Sequence, residues 1–486
     1  MLSAEKRMPL LPFSVPAVTP FAQTVFFSSV VFLCLRYLAL HLSPQTGIFA
    51  LRGQRRLPPG PPGLPLIGNL HKWRSVRRQP AMLLPYLISL AKYGEMTTLT
   101  LGSKTWVFLN SPRVVNEIIS KRSSITHERP PMPIASEIVS KGKRNVILPT
   151  AESVEGRRVL QHLLSGSPLK TYGEWQESES VQMLASYLFE PERWYVHHYR
   201  YANSIMHRIV LGEGLEKNTA ELKNLHRVTV EFLSNINMSI IDFYPQLAKL
   251  PRFLHFWRKG WEKMSQDHYK AFMSWWAPVK KACDEGTAPP SFVRDALLAE
   301  QTRYTGNDEE AMYLALSTIS AGSDSTRIPM NALVAAAVCH PDAMRKAREE
   351  ADAVCGNRAG RLPGIGDMHK MPFTCALLKE VLRWRPPIPL VPQHQLTQNL
   401  EFEGYYFPAG TEFVINSFPV AHDIDAPEAF HPERWMGVNE ASIIQGLWVC
   451  GGGRRICVGY KLAQTQLFVA YARLLYCFDY AAVGLP

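Results

Sequence analysis

The chain of 486 residues carries a formal net charge of +11, is 46% hydrophobic and 20% charged, and so is neither a disordered polyelectrolyte nor too short to bury a sizeable core. Its eight cysteines show neither paired zinc spacing nor the density of a disulfide scaffold, which excludes the zinc-ribbon and small secreted classes. No Lys/Arg stripe accompanies the basic balance, which points to an anionic membrane surface or an acidic protein partner and not to nucleic acid.

Residues 1–20 form a lead broken by prolines 9, 12, 16 and 20. The apolar run Phe21–Leu42 is long enough to cross a bilayer as one helix, with Arg36 and His41 able to snorkel. A cleaved signal peptide is the alternative, but no small-x-small cleavage site stands out. Arg36, Arg52, Arg55 and Arg56 outnumber Lys6 and Arg7, which predicts a retained transmembrane anchor over 21–42 with the bulk of the chain on the cytosolic side. Residues 43–69 are basic and then proline-rich, and Pro58–Asn69 reads as a stiff hinge or spacer.

Pro80–Tyr93 is an amphipathic helix candidate, and Glu95–Leu101 with Lys104–Leu109 predicts a hairpin around Gly102-Ser103. Pro112–Ser120 returns to helix, while Thr126–Pro133 is irregular. Helices are predicted over Val154–Leu164, Ser178–Phe189, Trp194–Val210 and Thr219–Asn235. The aromatics Phe243, Tyr244, Phe253, Phe256, Trp257 and Trp261 read equally as core or as membrane-facing.

A long helix over Glu309–Val338 carries Ala321-Gly322-Ser323-Asp324-Ser325-Thr326. Pro329 removes the N–H that would bond the Ser325 carbonyl, so a distortion is expected there. Cys375–Trp384 places Glu380 and Arg383 on one helix face. His394 and Phe430-His431-Pro432-Glu433-Arg434-Trp435 follow. Last comes Cys450-Gly451-Gly452-Gly453-Arg454-Arg455-Ile456-Cys457-Val458-Gly459, then a helical run Tyr460–Leu475. A cysteine beside guanidinium groups at a helix N-terminus favours the thiolate, since peptide dipoles and positive charge both stabilise the anion. The bland alternative is a glycine-rich loop around one buried, inert cysteine.

Taken in order, these segments resemble the cytochromes P450. Gly453, Arg455, Cys457 and Gly459 match the pattern Phe-x-x-Gly-x-Arg-x-Cys-x-Gly, with Cys450 where Phe is usual. Residues 321–326 resemble (Ala/Gly)-Gly-x-(Asp/Glu)-Thr-(Thr/Ser), with Ser325 for Thr, and residues 380–383 match Glu-x-x-Arg. The likeness runs from about residue 20 to 478 and is strongest to microsomal enzymes of fungal secondary metabolism, such as the O-methylsterigmatocystin oxidoreductase-like monooxygenases.

The resemblance implies a mainly α fold with a small β region, residues 70–486 forming one haem domain. It implies haem b with Cys457 as axial ligand, Gly453 and Gly459 shaping the loop, and Arg157, His394 and Arg455 toward the propionates. Ser153 then stands where a propionate-binding Trp is usual. Ala321 and Gly322 would line the porphyrin face, Gly322 because a Cβ would clash there, and Asp324, Ser325 and Thr326 would handle protons beside bound oxygen. Arg434 would join Glu380 and Arg383 in a structural triad. The implied activity inserts one oxygen atom from O2 into an apolar small molecule. NADPH–cytochrome P450 reductase, with cytochrome b5 as an optional second donor, would supply electrons at the endoplasmic reticulum membrane. Only 29 residues follow Cys457, so the family's terminal strand pair is expected to be missing. Two other readings stay open: a haem-thiolate enzyme that rearranges or couples its substrate, and a truncated or non-catalytic membrane protein, for which Cys450, Ser153 and the short tail speak.

Overall fold

The computed structural model describes residues 25, 28–33, 56–215, 219–301, 304–357, 360–437 and 440–482. Contacts divide the chain into two units, 1–57 with 401–406, and 58–400 with 407–486. In the first, Arg56 bridges to Tyr405 in parallel, its carbonyl accepting from the Tyr406 N–H at 2.9 Å.

The second unit is mainly α. Its chain-order elements are α1 (Leu70–Arg78), α2 (Pro80–Leu90), β1 (Met96–Leu101), β2 (Lys104–Leu109), α3 (Thr150–Leu163), α4 (Pro168–Phe189), α5 (Trp194–Leu211), α6 (Ala220–Asn235), α7 (Arg258–Asp284), α8 (Asp308–Cys339), α9 (Pro341–Cys355), α10 (Pro372–Trp384), β3 (His394–Gln395), β6 (Glu412–Ile415) and α11 (Tyr460–Cys477). The two-stranded sheet of β4 (Leu400–Phe402) and β5 (Tyr405–Phe407) falls mostly in the first unit. The larger sheet has the order β1-β2-β6-β3: β1 and β2 form the predicted hairpin, β6 joins β2 in parallel, and β3 closes antiparallel.

The core is organised on α8. An Asn307–Glu310 capping box starts it, and Ala311–Leu316, Ile319, Met330, Leu333 and Ala336 are buried along it. α5 is buried over nearly its whole length and α11 over its C-terminal two-thirds; both join α8 in one hydrophobic cluster. Each large apolar side chain so buried contributes roughly 1.5–3 kcal/mol. α8 runs unbroken through Pro329, so the expected distortion does not interrupt it. The Pro329 carbonyl accepts from the Tyr471 hydroxyl of α11 at 2.7 Å.

Two expectations change. Pro58–Asn69 does not stand off as a spacer: Pro59 accepts from the Thr98 N–H at 3.0 Å, and the Asn69 side chain accepts from the Thr100 N–H at 3.0 Å, so the stretch lies along β1. The transmembrane helix is the larger correction. Among the described residues no helix is long and apolar enough to cross a membrane. Of the run 21–42 only Val25 and Ser28–Leu33 are described, as helix; the remainder lies outside the described residues. The membrane partner and the endoplasmic reticulum location rested on that span and fall with it.

Candidate active site

The site is built on the loop before α11. Gly453 has φ of +60°, and a Cβ there would lie 2.3 Å from the Ile119 carbonyl, so this position admits only glycine. The Cys457 N–H bonds the Cys450 carbonyl at 2.9 Å, fixing the two cysteines side by side. Gly459 precedes α11 without a side-chain cap. The Cys450 thiol beside it favours the Cys457 anion most, and the Gly459 N–H and the Arg157 charge add to this against the opposing effect of burial. Together these hold the Cys457 thiol below its ordinary value, while the same Cys450–Cys457 contact, with burial, pushes the Cys450 thiol up. Cys457 remains exposed.

Arg157 on α3 donates to the Ile456 carbonyl, beside the ligand candidate. Arg455 turns the other way, into protein: Nε donates to the His127 carbonyl at 2.9 Å, Nη1 to the Ser153 hydroxyl at 2.9 Å, and Nη2 to the Thr150 hydroxyl at 3.0 Å. Its donors thus anchor the loop to residues 127–153. His394 is buried, and its Nδ1 donates to the Thr126 carbonyl at 2.9 Å. Burial, with nearby Arg129, pushes its ring down to about 3, so it is neutral near pH 7.

On α8, Ala321 is exposed although Ser320 and Ser323 are buried, so the helix opens a face there. The Ser325 hydroxyl donates to the Ala321 carbonyl at 2.6 Å, and Thr326 to Gly322 at 2.8 Å. A Cβ on Gly322 would lie 2.5 Å from the Met206 sulfur of α5. Asp324 accepts from Arg327 Nη2 at 3.0 Å, has His226 Nδ1 at 3.9 Å, and borders a small cavity of about 10 Å³ shared with Tyr199, Asn203 and Thr229.

Glu380, Arg383 and Arg434 come together. Arg383 donates through Nε and Nη2 to the two Glu380 oxygens at 2.9 and 2.8 Å, both residues being fully buried, and Arg434 Nε lies 3.3 Å from Glu380. The His431 N–H and Trp435 Nε1 also donate to Glu380, at 2.8 and 2.9 Å. So many donors specify one geometry for the segment leading to the loop.

Sequence reasoning missed Thr150 and Arg129 as supports, and Arg327 as partner of Asp324. The last carried a signal, the three-residue spacing on a helix; the others depend on contacts between distant segments. Among the described residues no cluster of three or more His, Cys, Asp or Glu could hold a metal ion. An exposed lone thiolate therefore suits a metal that arrives with most of its coordination filled, and the donor set fits an axially ligated haem.

The family model described as Cytochrome P450 matches residues 58–483. The chain is 32% identical over 449 residues to Cytochrome P450 monooxygenase virE of Hypocrea virens, covering 88% of this chain and 79% of that protein. It is 29% identical to Cytochrome P450 monooxygenase fogE of Aspergillus ruber, covering 89% and 82%. Cytochrome P450 monooxygenase 69 of Postia placenta is 30% identical, with 91% and 86% covered.

Proposed function

The chain belongs to the cytochrome P450 family, and on that premise we propose that it is a haem-thiolate monooxygenase of fungal secondary metabolism, with Cys457 as the axial ligand of haem b. The single observation that carries this reading is the setting of Cys457: exposed, at the start of α11, with its thiol favoured as the anion by Cys450, Gly459 and Arg157.

Haem, when bound, supplies oxygen activation and C–H oxidation. The chain's own residues would hold the ligand and handle protons. Cys457 offers sulfur from a loop whose shape Gly453 and Arg455 determine. Arg157 is the candidate donor to the propionates; His394 would join it only as the imidazolium, since its neutral ring gives its one N–H to the Thr126 carbonyl. Ser325 would present its hydroxyl proton on the open face of α8 by turning from the Ala321 carbonyl, and Asp324, held by Arg327, would replace it. Electrons would come from NADPH–cytochrome P450 reductase, whose recognition gives the basic balance a use.

The test is the carbon monoxide difference spectrum of the reduced protein. A Soret band of thiolate ligation that is lost in Cys457→Ser is expected; a variant with an unchanged spectrum overturns the assignment. Ser325→Ala is expected to release more peroxide per NADPH consumed, and unaltered coupling would remove the proposed role of its hydroxyl.

A further inference from the structure

Arg144 is 5% exposed, and neither Nε nor Nη2 has a hydrogen-bond partner. Among the described residues it forms no ion pair. One face of its guanidinium lies 3.9 Å from the Phe232 ring centroid, with Phe272 at 5.5 Å. A desolvated cation–π contact supplies about 2 kcal/mol, while removing an ion from water costs several kcal/mol. The rings alone leave this charge under-compensated.

The surroundings are also short of acceptors. His268 on α7 is fully buried, and neither ring nitrogen is hydrogen-bonded. Burial, with Arg144 next, pushes its ring down to about 3, so it is neutral and carries one N–H. The Tyr313 hydroxyl of α8 is buried without a partner, its ring packed on Phe272 at 5.2 Å. The nearest carboxylate to His268, Glu231 at 3.9 Å, is partly exposed and pairs with Arg227. Guanidinium, imidazole and phenol thus bring donors to one buried region, and the carboxylate that acts on Tyr313, Glu309, is paired with Lys143 and Lys141 and not with Arg144.

The two empty nitrogens of Arg144 are the parallel pair that takes both oxygens of a carboxylate at once. Elsewhere in this chain that pair is used so: Arg383 binds Glu380 through the same Nε and Nη2. We propose that Arg144, assisted by Tyr313 and His268, binds a carboxylate carried by the substrate. Tyr313 precedes Ala321 by eight residues, about 12 Å along α8. The substrate would therefore be an organic acid whose carboxylate lies on the order of 12 Å from the oxidised carbon. This rests on reading the Ala321–Ser325 face as the place of reaction.

The test uses the purified holoprotein and formate, the smallest carboxylate, so that shape does not enter. Thermal unfolding is followed in sodium formate against sodium chloride of equal ionic strength, for wild type, Arg144→Leu and Arg144→Lys. Formate is expected to raise the Tm of wild type above its value in chloride. Arg144→Leu should lose that difference, and Arg144→Lys, which keeps the charge but not the fork, should need at least several-fold more formate. If Arg144→Leu does not fold, the lysine variant decides. Calorimetry with decanoate and 1-decanol then extends the comparison, with at least a tenfold preference for decanoate expected in wild type only. No formate effect in wild type, or one that survives in the variants, overturns the proposal. The carbon monoxide spectrum of the same samples keeps the two readings apart: a thiolate band without carboxylate preference removes the Arg144 site alone.

Discussion

Ser153 accepts a hydrogen bond from Arg455 Nη1 at 2.9 Å, and both residues are buried. The α3 position where the family resemblance led us to expect tryptophan is here the acceptor that holds the loop arginine in place. Removing an acceptor from a buried guanidinium costs roughly 1.5–3 kcal/mol. Ser153→Ala should therefore lower the Tm and weaken haem retention on gel filtration, while Ser153→Thr should stay near wild type. At 1% exposure there is no room for a larger ring, so Ser153→Trp should be worse than alanine. A tryptophan variant as stable as wild type would contradict the packing seen.

Gly322 offers a direct choice between two explanations. The Met206 side chain occupies the space a Cβ would take. Gly322→Ala should cost about 1–3 kcal/mol through overpacking, and Met206→Ala in the same chain should restore part of that loss. Thermal unfolding of the four combinations forms a double-mutant cycle. Additive losses would return Gly322 to the role expected from the family pattern.

The Cys450 thiol is held beside the sulfur proposed as ligand by the bond from the Cys457 N–H to the Cys450 carbonyl, where it can act as a donor. A donor to the thiolate withdraws electron density and favours the reduced metal. Cys450→Ala and Cys450→Phe should lower the haem midpoint potential, whereas Cys450→Ser, which keeps a donor, should remain close to wild type. A tenfold change in the reduced-to-oxidised ratio corresponds to about 59 mV for one electron. Spectroelectrochemistry reads the order of the four proteins, and equal potentials in serine and alanine variants would exclude the hydrogen bond as cause.

Asp242 gives a pH dependence whose sign can be worked out. Burial pushes its carboxyl up from 3.8 to about 6, against the Ile134 N–H and Lys104, which pull it down. The folded protein therefore holds this proton more tightly than the unfolded chain. That contribution is full below about pH 4 and is lost as pH rises through about 6, on the order of 2–3 kcal/mol. Asp242→Asn keeps the oxygen that accepts from Ile134 at 3.3 Å and cannot ionise. Its stability advantage, from denaturant unfolding at several pH values, should grow between pH 4 and 7. Lys104 and Glu412, paired at 3.0 Å, are the neighbouring charges, so a flat difference would mean that they set the titration.

Local pattern made much of this protein legible before any coordinates. The hairpin around Gly102, the long helix over 308–339 and the helix after Gly459 lie within a residue or two of their expected bounds, because periodicity and turn residues act over a few positions. The spacing of Glu380 and Arg383 likewise put a pair on one helix face. The apolar run 21–42 shows the limit of that reading: its composition suggested a span, and among the described residues no helix is long and apolar enough to cross a membrane.

Identity of residue type, in this sequence, determined which groups can do chemistry: one cysteine at a helix start, a hydroxyl and a carboxylate on the longest helix, arginines near both. Tertiary structure alone decided how they are used. Arg455 meets Ser153 across 302 residues, Gly322 meets Met206, and Arg144 meets two aromatic rings. Such pairings depend on which segments pack together, and packing is a property of the whole buried core, which no short window of sequence contains.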